Sequence, residues 1–275
     1  MKILVTFALE NEFAPWRDRR EFRAEPRPKP EIVDKEIRGV KIESPETYTA
    51  EIGGAHVEVV LTGAGPKPAA SVISQAIRAT PDTIDFCISS GLAGALRPQY
   101  RIGQVLAARE VRSGSIQPGY PGETVQSSEA LVSFAGECGA TPVEKFHTAG
   151  RVIGRAVEKK HLGETADAVE MESFVVLGEA QRRGVPAIAV RAISDSADED
   201  MPFDMTGIFT EEGRISMPLV LAEMAKHPQA IPAVMKLGQS AKSAATELAG
   251  FLDRYVERLA AAGTGLEGKT ASAEH

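Results

Sequence analysis

Short apolar runs alternate with polar, glycine-containing segments along the first two thirds of the chain. The runs at 2–8, 83–89 and 187–193 have the length and the β-branched content of buried strands. Two further runs, at 48–52 and 56–61, flank Gly53 and Gly54, which predicts a hairpin. The other predicted elements are strands at 102–111 and 143–148 and helices at 10–19, 67–78 and 128–138.

The alternation of strands and helices predicts an α/β fold, a three-layer α/β/α sandwich around a central mixed sheet. Helical periodicity at 215–226 and 231–261, interrupted by Pro228 and Pro232, adds helices at the C-terminus. We expect one domain over residues 1–261, with insertions at about 20–45 and 209–237 and a flexible tail at 262–275. The insertions are expected to add a short strand near 37–42.

Composition excludes several classes of protein. The 275 residues carry a net charge of −7, which argues against a nucleic-acid partner. The apolar runs are far shorter than the roughly 20 residues that a membrane span needs. The first run is also too short for a secretory signal and continues into Glu10 and Glu12, so we expect a cytoplasmic protein. The five histidines and two cysteines show no metal-ligand spacing, and we expect neither a metal nor an organic cofactor.

The segment 169–201 is the richest in candidate chemistry. We predict a helix opening on Glu170, Met171 and Glu172, followed by a turn and the strand 187–193. Arg191 lies in that strand, and Ser194 and Asp195 follow it. Open α/β proteins place ligands at the carboxyl ends of their strands, so this segment predicts both the architecture and the site. Glycine-rich stretches at 62–66 and 90–94 are predicted to be loops.

Seven motifs occur along the chain in the order found in one known family. They are MKILVTFALENEF, TGAGPKPAA, SSGLAGAL, IGQVLAAREV, HTAGRVI, VEMES and VRAISDSAD. Read together, they resemble the nucleoside phosphorylase/nucleosidase superfamily, and most nearly the 5′-methylthioadenosine/S-adenosylhomocysteine nucleosidases. VEMES followed by RAISDSAD is the most specific part of the resemblance.

The resemblance implies roles for five residues. Asp195 matches the general acid that protonates N7 of the leaving purine, and Glu12 matches the carboxylate that activates the attacking water. Glu172 matches the acceptor of the ribose hydroxyls, and Met171 matches a side chain that packs on the ribose. Arg191 matches a residue near the water site.

Five further positions match the family's substrate pocket. Val152 and Ile153 correspond to residues that line the base pocket, where the family often has an aromatic side chain. Ala93, Gly94 and Ser194 match positions that border the substrate. The chain departs from the family at 92, where leucine replaces a serine that helps to hold the water, and in a shortened segment at 112–125.

The chemistry requires two carboxyl groups in different protonation states. We expect Asp195, at the end of a hydrophobic strand, to stay protonated, and Glu12, at a more polar mouth, to be ionised. The places where the phosphorylases of this superfamily hold phosphate contain no arginine here, and Glu12 would repel the anion. We therefore expect hydrolysis of a small nucleoside, with adenine as the leaving base. The family resemblance also implies a homo-oligomer, such as a dimer.

Alternatives stay open. Taken singly, Asp195 is explained by a turn, Glu170 and Glu172 by the helix dipole, and Glu12 by a solvated helix. Their occurrence together in family order favours the functional interpretation. The remaining rivals are a phosphate-dependent phosphorylase, a nucleosidase for another 5′-substituted adenosine of the futalosine or adenosylhopane type, and a non-catalytic nucleoside-binding protein, which Leu92 favours.

Overall fold

A computed structural model describes residues 1–25, 46–79, 84–114 and 122–263 of the chain. The strands are β1 (Lys2–Phe7), β2 (Arg23–Ala24), β3 (Glu46–Ile52), β4 (Ala55–Leu61), β5 (Phe86–Ser89), β6 (Leu92–Ala95), β7 (Val105–Ser113), β8 (Glu123–Gln126), β9 (Thr141–Thr148), β10 (Ala168–Glu170) and β11 (Ala187–Asp195). The α-helices are α1 (Glu10–Arg17), α2 (Pro66–Ala79), α3 (Glu129–Glu137), α4 (Ala156–Leu162), α5 (Ser173–Arg182), α6 (Met217–Lys226) and α7 (Ile231–Ala262). Two 3₁₀ helices span Met205–Ile208 and Pro228–Ala230.

The strands form one mixed sheet in the order β2-β3-β4-β1-β5-β11-β6-β10-β9-β7-β8. The strands β4, β1, β5 and β11 are mutually parallel, and β11 also pairs in parallel with β6 and antiparallel with β7. The pairing of β11 with β7 closes a ring through β6, β10 and β9. The register of β11 against β6 shifts between Ile193 and Asp195, which turns the end of the strand.

Helices cover both faces of the sheet, so the predicted three-layer architecture is confirmed. One face carries α2 and α5, whose apolar residues pack with those of the central strands. The other face carries α1, α3 and the second half of α7. In α7 the buried residues begin at Ala244 and recur at helical spacing through Leu248, Leu252 and Tyr255, whereas residues 231–243 are largely exposed. The second half of this helix therefore packs on the body of the protein.

Two predictions around the candidate site were wrong. The helix does not open on Glu170; β10 ends there and α5 begins at Ser173. The carboxylate of Glu170 accepts hydrogen bonds from the backbone N–H groups of Glu172 and Ser173, so it caps the helix from the preceding strand. The glycine-rich stretch 90–94 is also more than a loop, because β6 begins at Leu92 and pairs with β10 and β11.

Other predictions fall partly outside the described residues. The strand expected near 37–42 lies outside them. The shortened segment at 112–125 includes residues 115–121, which also lie outside, and its two ends belong to the paired strands β7 and β8. None of the helices within the four described ranges is long and apolar enough to cross a membrane.

Candidate active site

Three segments that follow parallel strands meet at one edge of the sheet. They are 8–12 after β1, 62–65 after β4 and 90–91 after β5. Backbone hydrogen bonds connect them: Gly63 N–H donates to the Ala8 carbonyl, and Ser90 N–H donates to the Thr6 carbonyl. Because the carboxyl ends of parallel strands share an edge, residues far apart in sequence face one space there.

Glu12 is buried at this edge, with 8% of its surface exposed. Its Oε2 accepts hydrogen bonds from the backbone N–H groups of Ala8 at 3.1 Å and Leu9 at 3.3 Å, and its Oε1 accepts one from Leu92 at 3.3 Å. Burial raises the pKa of Glu12 above its ordinary value, although the charge of Arg191 and the three N–H donors oppose the rise. The side chain is therefore held by backbone groups from two different loops.

Arg191 and Glu170 form a buried ion pair next to Glu12. Arg191 Nη2 lies 2.7 Å from Glu170 Oε2, and the two side chains are 1% and 0% exposed. Arg191 also donates to the Ser89 carbonyl at 2.8 Å, and Glu170 also accepts from the hydroxyl of Thr148. These hydrogen bonds compensate much of the cost of burying the two charges, although Arg191 Nε has no hydrogen-bond partner among the described residues. Its position makes Glu170 an anchor for Arg191 and for the start of α5.

Glu172 shares the same guanidinium at a longer distance. Its Oε2 lies 3.6 Å from Arg191 Nη2, and its Oε1 accepts a hydrogen bond of 2.8 Å from Gly65 N–H. The pKa of Glu172 is raised to about 8 chiefly by burial and also by the charges of Glu170 and Glu12, against the lowering effects of Arg191 and the Gly65 N–H. Three buried carboxyl groups therefore lie near one cation.

Asp195 occupies a different setting at the end of β11. Its Oδ1 accepts from the ammonium group of Lys159, a residue of α4 whose side chain is fully buried. Its Oδ2 lies 2.9 Å from Ser194 Oγ, which is also 3.2 Å from the Ala93 carbonyl. A single hydroxyl hydrogen serves only one of these acceptors at a time.

The environments expected for the two candidate carboxyl groups were therefore wrong. Glu12, expected at a polar mouth, is buried and has a raised pKa. Asp195, expected in an apolar setting, has a side chain 12% exposed and an ammonium group against it. The physical reason is that α4 and the loops after β1 and β5, which are distant in sequence, supply the surroundings of each residue.

Two glycines make room for the two carboxyl groups. A Cβ atom on Gly91 would lie 3.1 Å from Glu12 Oε2, and a Cβ atom on Gly94 would lie 3.0 Å from Asp195 Oδ1. The two positions are three residues apart, which spans about 10 Å of extended chain. One carboxyl group therefore lies near each end of the SGLAG motif, Glu12 at Gly91 and Asp195 at Gly94.

The structure brings Met171 to the loop at Gly65, whereas the lining of the cavity beside Val152 includes none of Glu12, Glu172 and Asp195. Met171 Cε lies 3.8 Å from the position of a Cβ on Gly65, so it borders the same loop as Glu172. Val152 lines a cavity of about 690 Å³, whereas Ile153 is buried in an apolar cluster with Leu96 and Val169. The other residues that line this cavity include Arg151, Gly154, Arg155, Met201, Phe203 and Met205.

Two residues of the site were not predicted from sequence. Lys159 was missed because a lysine in the polar helix segment AVEKKHL is ordinarily solvated. Its position three residues before the buried Leu162 was the available signal, since both lie on one face of a helix. Glu170 was interpreted only as an acid at the start of a helix, and its partner Arg191 lies 21 residues further along.

The chain is similar to known proteins both in sequence and in fold. The sequence model of the phosphorylase superfamily matches residues 2–257. Among solved structures, a futalosine hydrolase mutant of Helicobacter pylori strain 26695 superposes with a TM-score of 0.68 at 19% identity, covering 94% of this chain and 100% of that chain. A 5′-methylthioadenosine/S-adenosylhomocysteine nucleosidase from Neisseria meningitidis gives 0.67 at 21% identity, with 94% and 99% covered. The corresponding enzyme from Helicobacter pylori gives 0.68 at 19% identity, with 94% and 99% covered. The predicted fold class and family resemblance are confirmed.

Proposed function

The chain belongs to the phosphorylase superfamily, and we propose that it hydrolyses the N-glycosidic bond of a purine nucleoside that carries a 5′ substituent. The observation that carries this proposal is the position of Glu12. Its carboxylate accepts hydrogen bonds from the backbone N–H groups of Ala8 and Leu9, in the loop after β1, and of Leu92, at the start of β6. Those donors suit an anion, and here a side chain of the protein itself occupies them.

This arrangement favours water over phosphate as the nucleophile. A phosphate at the same loops would have to displace Glu12 from its donors or lie against a carboxylate. Arg191, the nearby cation, is 1% exposed and committed to Glu170 and Ser89, so it offers little to an incoming anion. A carboxylate fixed in this place is suited instead to accept a proton from water.

The proposed mechanism divides the work between the two carboxyl groups. Asp195 donates a proton to N7 of the purine as the bond to the ribose breaks, and the departing base takes the bonding electrons. Glu12 orients the water and accepts its proton as the water attacks C1′ of the sugar. Glu172 and Met171 bind the ribose. The contacts of both side chains with the loop at Gly65 support this role, because they hold the two residues side by side. Val152 borders the base.

The identity of the 5′ substituent is the finer part of the proposal. We favour methylthioadenosine or S-adenosylhomocysteine, because their hydrolysis belongs to the family branch that the motifs resemble. A futalosine-type substrate is the second candidate, since a futalosine hydrolase is among the structures with this fold. The presence of Leu92 does not argue strongly for a non-catalytic protein, because the backbone N–H of that residue, and not its side chain, contacts Glu12.

The test is release of free base from methylthioadenosine, S-adenosylhomocysteine, futalosine, adenosine and inosine, each with and without phosphate. We expect release that does not depend on phosphate and that falls by about 10²- to 10⁴-fold in Asp195→Asn, which cannot donate the proton. Asp195→Asn should still bind adenine in calorimetry. Asp198→Asn, an exposed acid in the same segment, is the matched control and should retain activity.

Three outcomes would overturn parts of the proposal. Release that requires phosphate would make the protein a phosphorylase and remove the argument from Glu12. Equal release by Asp195→Asn and wild type would remove Asp195 as the acid. Binding of nucleosides without release of base from any of them would favour a binding protein.

A further inference from the structure

Lys159 is a buried cation that the roles described above leave unexplained. Its side chain has no exposed surface, and its ammonium group donates to Asp195 Oδ1. The ammonium also donates to the Ser196 carbonyl at 2.7 Å and makes a longer contact of 3.5 Å with the Glu199 carbonyl. The three acceptors belong to the last residue of β11 and to the loop that follows it, so the N–H groups of one lysine are directed at a single turn of the chain.

Burial of this lysine is costly unless its charge is compensated. A helix that needed only an apolar contact at this position would be served equally well by leucine or methionine. The ammonium group instead contacts the carboxyl group proposed to protonate the leaving base. The structure thus places a fixed positive charge at one oxygen of Asp195 and leaves the second oxygen to Ser194.

We propose that Lys159 is a positioning residue for Asp195: it holds Oδ1, so that Oδ2 delivers the proton to the purine, and it stabilises the carboxylate that remains. This inference rests on the proposed function. When the Oδ2–H bond breaks, an N–H bond forms on the base and the glycosidic electrons leave with the base. The charge that develops on Asp195 meets a positive group that is already in place, so no reorganisation is needed.

The hydroxyl of Ser194 satisfies both protonation states of Asp195. When Oδ2 carries the proton, it donates to Ser194 Oγ at 2.9 Å, and the serine hydrogen goes to the Ala93 carbonyl at 3.2 Å. After the proton has left, the serine hydrogen rotates to Oδ2. The Lys159 contact to Oδ1 is unchanged by this exchange, and therefore the carboxyl group keeps its orientation through the step.

Within the described residues, the charged side chains near Lys159 and Asp195 have other partners. On α4, Glu158 pairs with Arg151. On the segment after β11, the Glu199 carboxylate pairs with Lys236, and Asp200 accepts from the backbone N–H of Ala156. Strands β6 and β10 present Gly94 and Val169 to the carboxyl group of Asp195, which are uncharged. Lys159 is therefore the group whose removal should change the titration of Asp195.

The experiment compares Lys159→Met, which keeps the length of the side chain, with Lys159→Arg, which keeps the charge. Lys160→Met, an exposed neighbour on the same helix, is the matched control. Loss of the ammonium removes a stabilising partner of the carboxylate, so Asp195 should keep its proton to higher pH. We expect Lys159→Met to move the alkaline limb of kcat/KM to higher pH and to lower kcat by about 10-fold or more. Lys159→Arg should restore much of both.

A second readout does not depend on turnover. With ¹³C-labelled aspartate carboxyl groups, the Asp195 signal is assigned by its absence in Asp195→Asn, and its titration midpoint is followed in each variant. We expect the midpoint to rise in Lys159→Met and to stay in Lys160→Met. An unchanged midpoint in Lys159→Met would overturn the proposal. An equal loss of activity in Lys159→Met and Lys159→Arg would also overturn it, because Lys159 would then only hold the loop after β11 in place. If wild type releases no base but the midpoint rises, the proposed function fails and the coupling of Lys159 to Asp195 stands.

Discussion

The two ends of the SGLAG motif carry carboxyl groups in opposite electrostatic settings. At the Gly91 end, Glu12, Glu170 and Glu172 share the guanidinium of Arg191. At the Gly94 end, Asp195 has the ammonium group of Lys159 against it. The first region has more buried acids than cations, and the second is balanced one to one. We call the first region the shared-cation cluster and the second the paired site.

This difference shows how the fold gives carboxyl groups different surroundings. In the shared-cation cluster, burial raises the pKa of Glu12 and Glu172, and the charges of Glu170 and Glu12 add to the rise for Glu172. In the paired site, the ammonium group of Lys159 donates a hydrogen bond to Asp195 Oδ1. The comparison therefore separates an acid that has a cation of its own from acids that share one.

The largest effect on turnover is expected from replacing Glu12. Glu12→Gln keeps the shape of the side chain but cannot accept a proton from water, so turnover should fall by about 10²- to 10⁴-fold. Because burial raises the pKa of Glu12 above 4.5, the acid limb of wild-type kcat/KM should lie above that pH. The measurement is kcat/KM against pH for both proteins.

The matched control is Glu10→Gln, an exposed acid of the same helix that pairs with Arg17 and contributes little as a surface ion pair. A Glu12→Gln protein with most of the wild-type turnover would remove Glu12 as the base. Glu12 would then have only a structural part in the shared-cation cluster, as a partner of the three backbone N–H groups.

The sequence predicted the fold well because the fold depends on local patterns. The runs that became β1 and β11 are mainly apolar, β4 alternates apolar and polar residues at its start, and the hairpin at Gly53 and Gly54 has a standard turn signal. The layers follow from the alternation of strands and helices, since each helix must cover the sheet. The start of α5 was misplaced because its cap is Glu170, a residue of the preceding strand.

The chemical environment of the site could not be predicted in the same way. The partner of Asp195 is 36 residues away on a short polar helix, and the donors to Glu12 include a backbone N–H 80 residues away. A backbone donor has no side-chain signature, so the sequence contains no sign of it. Motif order supplied the candidate residues of the site, whereas their surroundings depend on contacts that only the folded chain makes.

A smaller effect is expected on stability when Glu172 is made neutral. Its pKa of about 8 in the folded protein exceeds the ordinary 4.5, so its contribution to stability is full below pH 4.5 and is lost as the pH rises to about 8. Glu172→Gln is neutral at every pH, so it should remove this dependence of the free energy of unfolding on pH. The change across the window is on the order of a few kcal/mol. Urea unfolding at several pH values across this window measures it.

Glu179→Gln, on the same helix and paired with Arg182, is the control and should keep the wild-type slope. Parallel stability curves for wild type and Glu172→Gln would contradict the prediction. They would mean that Glu172 is ionised in the folded protein across this range, and that Arg191 stabilises two carboxylates at once.

The smallest and most selective effects are expected from the two glycines, because each variant disturbs one end of the motif. Gly94→Ala places a methyl group 3.0 Å from Asp195 Oδ1, so the carboxyl group must shift by a few tenths of an ångström. Gly91→Ala places one 3.1 Å from Glu12 Oε2 and also strains the backbone, whose φ is +147°. We expect Gly94→Ala to alter the alkaline limb of kcat/KM and Gly91→Ala the acid limb, each with a loss of about 10-fold.

Gly54→Ala, with φ of +86° and no atom within 4 Å of the added carbon, isolates the cost of backbone strain. If both variants change the same limb, the two regions are one coupled site, and the separation between the shared-cation cluster and the paired site fails.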